Sequence, residues 1–249
     1  MMRRFISLCV AMTVVLASCS SNSSSNDDVD TTIPSSEPSV PVTTAFPPAV
    51  GGSIEWTKCG EVECGTLDVP FDYDNPSAGN FTLSLQRRVA SKPDKRVGSL
   101  LVNPGGPGFG GSSLAPLAEF YFSEDIVDVF DIVGWDPRGT GESTPAVDCI
   151  DNYDPYFAYD PSPDTPDEQQ QIENSNQAFV DECVNKSADV LPYISTVASA
   201  RDMDRIRAAL GEETISYFGF SYGSELGATW MSMFPTTVRA AVLDGATNP

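Results

Sequence analysis

Gly219-Phe220-Ser221-Tyr222-Gly223 combines a hydroxyl that could act as a nucleophile with two glycines that leave room around it. A serine is a weak nucleophile until a neighbouring base takes its proton, so it must be presented where both the base and a carbonyl can reach it. The G-x-S-x-G spacing does this by setting the serine on a sharp strand-to-helix turn. The positions two before and two after then meet crowded backbone and must lack a side chain. The flanks fit, because Thr214-Ile215-Ser216-Tyr217-Phe218 is β-prone and Tyr222 to Phe234 carries helix formers until Pro235 ends the run. Ser221 is therefore the candidate nucleophile, with a chance five-residue match as the plain alternative. One partner is lacking: the sequence contains 0 histidines and cannot supply the usual imidazole base.

A second stretch could serve the same reaction. Gly98-Ser99-Leu100-Leu101-Val102 reads as a buried strand that runs into Asn103-Pro104-Gly105-Gly106-Pro107-Gly108-Phe109-Gly110-Gly111. So many glycines bring bare backbone close to something. The loop is either an oxyanion loop, donating N–H to the charge that develops on an attacked carbonyl, or a flexible turn. A third stretch, Asp136-Pro137-Arg138-Gly139-Thr140-Gly141, follows the apolar strand Phe130 to Trp135. There Asp136 and Arg138 are expected to pair with each other and pin the loop, a structural task rather than a catalytic one.

The elements that must position these stretches alternate along the chain. Gly65 to Val69 and Phe81 to Val89 flank the turn-forming Asp72-Tyr73-Asp74-Asn75-Pro76, which predicts an opening antiparallel pair. Val147 to Ser195 then interrupts the rhythm with a Tyr-, Asp- and Pro-rich excursion, Asp151 to Pro166, and a helix-like run from Asp167 to Val184. Thr196 to Leu210 predicts an amphipathic helix closed by Gly211, which delivers the chain to the elbow strand, and Ala240 to Leu243 is the last strand. Strands alternating with helices predict an α/β fold class, a mostly parallel sheet with helices on both faces.

Outside that core the sequence changes character. Met1 to Ser18 has a basic start, Arg3-Arg4, and an apolar stretch from Phe5 to Leu16, the plan of a signal peptide and too short for a comfortable membrane span. Its end, Leu16-Ala17-Ser18-Cys19, resembles a bacterial lipobox, so Cys19 is the expected lipid-modified first residue of an exported protein anchored at the outer face of the cell membrane. An ordinary secretory signal with an incidental cysteine is the alternative. Residues 19–50, rich in Ser, Thr, Pro and Asp, read as a disordered tether, with the folded domain over 51–249. The formal charge of -21 argues against nucleic acid as a partner and fits a solvated acidic surface. Once Cys9 and Cys19 are set aside, Cys59, Cys64, Cys149 and Cys183 form an even set in an exported chain, which reads as two disulfides. Of three connectivities, Cys59 with Cys64 and Cys149 with Cys183 is favoured because each pair brackets one local segment. A metal site is disfavoured by wide spacing and the absence of histidine.

Strands alternating with helices, a glycine loop after one strand and the elbow after another together resemble an α/β-hydrolase. More narrowly, Cys64-Gly65-Thr66-Leu67-Asp68-Val69-Pro70-Phe71-Asp72-Tyr73, Asn103 to Gly108, Asp136 to Gly141, Gly219 to Gly223 and Leu243-Asp244-Gly245 are similar to the secreted tripeptidyl aminopeptidase branch of the proline iminopeptidase-like hydrolases. The resemblance implies that Ser221 is the nucleophile, that the N–H groups of Gly106 and Tyr222 are the oxyanion donors, and that no cofactor is needed. It implies a small substrate, either a peptide shortened from its free N-terminus or an ester. In this fold the triad runs Ser, then Asp or Glu, then His, and the last two follow later strands. The 249 residues are accordingly expected to be the N-terminal half of an enzyme, truncated after about the sixth strand and inactive alone. Asp244 is a disfavoured candidate for the acid. The alternatives are a non-catalytic lipoprotein that retains the cleft, a split enzyme completed by a second polypeptide, and a carboxylesterase.

Overall fold

Apolar residues at alternating positions build a seven-stranded sheet in the computed structural model, which describes residues 46–246. The predicted signal sequence, Cys19 and the tether as far as residue 45 lie outside the described residues. The strands are β1 (Thr57–Cys59), β2 (Val62–Pro70), β3 (Asn80–Arg88), β4 (Gly98–Asn103), β5 (Phe130–Trp135), β6 (Ile215–Phe220) and β7 (Val238–Asp244), in the order β1-β2-β3-β5-β4-β6-β7. β1 to β3 form an antiparallel meander that joins β5 antiparallel, while β5, β4, β6 and β7 run parallel. The expected opening pair is there as β2 and β3. β1 adds a strand the sequence did not suggest, since three residues are too few to show a period; the Cys59–Cys64 disulfide closes its hairpin with β2.

Side chains of β4 and β5 divide between two cores, as a period of two requires. Leu101, Val133 and Trp135 face one side, with Met203 and Ile206 of one helix and Leu226 and Trp230 of another. Leu100, Val102 and Ile132 face the other, with Leu114, Ala118 and Val127. All six residues of β4 are buried, as suits an interior strand held between β5 and β6. The helices are α1 (Ala118–Tyr121), α2 (Glu124–Val129), α3 (Asp154–Phe157), α4 (Pro166–Ser187), α5 (Thr196–Ala209) and α6 (Tyr222–Met233). The first two cover one face and the last two the other, in agreement with helices on both faces. Among the described residues no helix is long and apolar enough to cross a membrane.

The excursion consists of α3 and α4. α4 buries only Ser187, so its helicity rests on local chemistry. Thr165 and Glu168 form a capping box, Pro166 occupies the first turn, and Gln169–Glu173, Gln170–Asn174 and Gln177–Asp181 are bonded one turn apart. Its far end is fastened by the Cys149–Cys183 disulfide, by Ser187 Oγ with both backbone groups of Asp148, and by Lys186 with Asp151.

The folded body begins earlier than Gly51. Phe46 packs on Phe234 with ring centroids 6.1 Å apart and donates its N–H to the Met233 carbonyl. Ala49 donates its N–H to Asp204 and accepts from Arg207 at 2.8 Å. Asp204 and Arg207 are buried and paired on α5, so two internal charges are completed by the main chain of a segment that composition alone places in the tether.

Candidate active site

β4, β6 and β7 end side by side, with Asn103 in register with Gly219, and Phe220 with Asp244. Loops leaving the carboxyl ends of parallel strands converge in space, and here they carry the motifs read from the sequence. Between β6 and α6 the chain turns on Ser221, which adopts φ 52° and ψ -123°. It is the non-glycine residue with positive φ among the described residues, a conformation that persists only when its surroundings hold it.

Several contacts do so. Ser221 N–H donates to the Asp244 carbonyl at 2.8 Å, and Ser224 Oγ donates to the same carbonyl at 2.9 Å. Tyr217 hydroxyl donates to the Gly223 carbonyl at 2.7 Å. Burial, with a smaller push from Tyr222, holds that hydroxyl well above its ordinary pKa, so it remains a donor. A side chain on Gly219 would strike the Gly223 carbonyl, and one on Gly223 would lie 2.8 Å from the carbonyl oxygen of Asn103. The two glycines are therefore demanded by close backbone approach on both sides of an exposed serine.

The glycine loop lies directly against this turn. Asn103, buried at the end of β4, accepts the Gly105 N–H on its side-chain oxygen at 2.9 Å. A Cβ on Gly105 would strike the Phe220 carbonyl and come within 2.9 Å of the Tyr222 nitrogen. The Gly106 and Tyr222 N–H groups thus belong to adjoining segments, and among the described residues no acceptor pairs with either. Tyr222 is the first residue of α6, so its N–H also carries the positive end of the helix dipole. Such a pair of free, fixed donors beside a raised serine suits an oxyanion formed in acyl transfer.

Asp136 and Arg138 do not pair with each other. Asp136 accepts from the backbone of Ser112 at 2.8 Å and of Glu142 at 2.9 Å, tying the end of the glycine loop to its own loop. Arg138 turns away to Asp202 of α5, donating from Nε at 2.7 Å and from Nη2 at 2.6 Å, and also reaches the carbonyls of Pro70, Phe71 and Tyr193. Both side chains are fully buried, and Tyr73 hydroxyl donates to Asp202 as well. Burial lifts the Asp202 carboxyl above its ordinary value despite the hydrogen bonds from Arg138, whereas on Arg138 the burial that works against its charge is outweighed by the hydrogen bonds and charge of Asp202, and the guanidinium stays charged. Each oxygen of the Asp136 carboxylate is already used by a main-chain donor, which leaves Arg138 to find its partner on α5.

Asp244 meets the elbow through its main-chain carbonyl, while its side chain is exposed. Among the described residues no cluster of acids and cysteines could hold a metal ion. Two residues of the site were not singled out from sequence. Asn103 had a signal, an amide at the end of a buried strand immediately before Pro-Gly-Gly. Asp202 had a weaker one: it stands in the stripe Ser199, Asp202, Met203, Ile206, whose i, i+3, i+4, i+7 spacing points inward.

The sequence profile of the alpha/beta hydrolase fold family matches residues 98–249. Serine protease Hip1 of Mycobacterium tuberculosis is 39% identical over 215 residues, covering 81% of this chain and 41% of that protein. Tripeptidyl aminopeptidase of Streptomyces coelicolor is 34% identical over 215 residues, covering 81% of this chain and 39% of that protein. Carboxylesterase B of Mycobacterium tuberculosis is 40% identical over 221 residues, covering 81% and 41%. The chain spans about two fifths of the length of these curated relatives.

Proposed function

We propose, for a chain that belongs to the α/β-hydrolase fold family, a serine hydrolase of the acyl-transfer type with Ser221 as its nucleophile. The observation that carries this reading is the elbow itself, an exposed serine held at φ 52° against a loop with free N–H groups. Ser221 Oγ attacks a carbonyl carbon and gives its proton to an imidazole. The carbonyl oxygen takes the negative charge in front of the Gly106 and Tyr222 N–H groups. Collapse expels the amine or alcohol with that proton, and water then releases the acyl group from Ser221. Each step needs only groups of these types, and no cofactor enters.

With 0 histidines in the 249 residues, the imidazole and its acid are assigned to sequence beyond them. The activity is accordingly placed in the complete protein. Within that class the reading is an exopeptidase that releases short peptides from a free N-terminus, supported by similarity to a tripeptidyl aminopeptidase. Carboxylester hydrolysis is the second reading, favoured by similarity to a carboxylesterase at comparable identity. Export and acylation at Cys19 complete the proposal, and the two disulfides support an oxidising compartment.

Turnover by the complete protein tests it, with a tripeptidyl anilide, its N-acetylated form and a p-nitrophenyl ester as substrates. Ser221→Ala should lower turnover of whichever is cleaved to below about a thousandth. Cleavage of the free peptide but not the acetylated one supports the exopeptidase, and ester cleavage alone supports the second reading. Unchanged turnover in Ser221→Ala would overturn the assignment of the nucleophile, and no turnover by the unsubstituted protein would overturn the hydrolase reading and leave a binding lipoprotein or a split enzyme.

A further inference from the structure

Beside the elbow lies a cleft of about 550 Å³, bounded on one side by Gly105 and Tyr222 and on the other by the excursion. Its size suits a small ligand. What lines it is unexpected for this chain. The protein carries 35 Asp and Glu and a formal charge of -21, yet among the described residues no carboxylate faces the cleft. Its one charged residue, Arg138, is fully buried and spent on Asp202 and three main-chain carbonyls. Of the hydroxyls, Thr140 donates to the Pro137 carbonyl at 2.8 Å, Thr196 bonds Tyr222 at 2.7 Å and Ser195 accepts from the Ala198 N–H at 3.1 Å, while those of Tyr153 and Ser199 add polar but uncharged groups to the wall. The remaining wall is apolar and aromatic, with Phe109, Val147, Tyr153, Phe179 and Ile194 its largest parts.

A wall without a free charge cannot compensate an ammonium or a carboxylate taken out of water, and it rewards an uncharged group. Tyr153 and Phe179 are supplied by the excursion and held together through Phe157, which stacks on Tyr153 at 6.0 Å and meets Phe179 edge-on at 5.5 Å between ring centroids. The Cys149–Cys183 disulfide fixes that aromatic group to the cleft, and Cys149 itself forms part of the lining.

Resting on the reading of Ser221 as nucleophile, we infer that this cleft receives the uncharged, apolar part of the substrate, an aromatic or branched aliphatic side chain or acyl group. Tyr153 and Phe179 set that preference. If the substrate has a free N-terminus, its ammonium is held by groups outside this cleft.

Binding can be read without turnover. In the complete protein carrying Ser221→Ala, calorimetric titration would compare N-acetylphenylalaninamide, which is neutral, with phenylalaninamide, which carries an ammonium. The neutral compound should bind at least about tenfold more tightly. Tyr153→Ser and Phe179→Ser should each weaken it about fivefold or more. Phe120→Ser, an exposed aromatic away from the cleft, should leave it unchanged. Tyr153 is itself exposed, so its variant removes cleft lining without opening a core; circular dichroism checks the fold of each variant. Equal or tighter binding of the ammonium compound, no binding of either, or unchanged affinity in both folded variants would overturn the inference. Fluorophosphonate labelling of the unsubstituted protein separates the two levels. Labelling without the binding preference defeats the inference alone, and the preference without labelling defeats the nucleophile alone.

Discussion

Gly105 has no side chain because the elbow occupies the space one would need. A Cβ there would strike the Phe220 carbonyl and crowd the Tyr222 nitrogen at 2.9 Å, and at φ +90° the backbone itself favours glycine. Gly105→Ala should therefore push the donor loop off the turn and lower kcat of the complete protein about 10²- to 10³-fold, the scale of losing one oxyanion donor. Steady-state kinetics alongside a thermal melt would check it, with the fall in kcat exceeding any loss of folded protein. Ser221 and its glycines were legible in the sequence because their constraint is local: five consecutive residues specify the turn. The partner of Arg138 was not. A charged neighbour two positions away suggested a pair, whereas Asp202 lies 64 residues further along the chain and reaches Arg138 only through packing of α5. Buried Asp204 and Arg207 escaped notice for the same reason, since an amphipathic pattern assigns such residues to the wet face.

Strand runs and the two long helices at the elbow were legible as elements because their apolar periods are long enough to count. Three-residue β1 and the early docking of Phe46 were not, because neither has a period. The excursion is held to the sheet by its ends, which makes the Cys149–Cys183 link its main fastening. Closing a loop with sequence separation 34 is worth about 4 kcal/mol in the chain-entropy account. Replacing both cysteines by serine should release that segment while the sheet stays folded, because α4 buries only Ser187. Limited proteolysis would show it, with new cleavage confined to residues 150–182 and the remaining domain resistant. Simultaneous loss of the whole domain would mean that the excursion is integral to the core.

At the scale of the molecule, Glu212 ties the start of β4 to β7 at the end of the sheet away from the elbow. It accepts from the Ser99 N–H at 2.9 Å, from Arg96 at 2.8 Å and from Arg239 at 3.0 Å. Burial alone would raise its carboxyl, but the hydrogen bonds from Arg96, Arg239 and Ser99 outweigh burial and hold it below its ordinary value. A folded-state pKa below the unfolded one gives stability that is complete above about pH 4.3 and is lost as pH falls through the folded value. Glu212→Gln should cost about 1–2 kcal/mol at pH 7, after allowance for solvent screening, and the gap should be narrower at pH 3. Urea unfolding midpoints at the two pH values would measure both.

In the proposed mechanism Ser221 is armed by groups outside these 249 residues. Fluorophosphonate labelling of the complete protein and of the 249-residue chain, each with its Ser221→Ala variant and followed by peptide mapping, addresses that directly. The prediction is an adduct on the Ser221 peptide of the complete protein, lost in Ser221→Ala, and little or none in the shorter chain. Rapid labelling of Ser221 in the chain without histidine, or an adduct on any other serine of the complete protein, would contradict it.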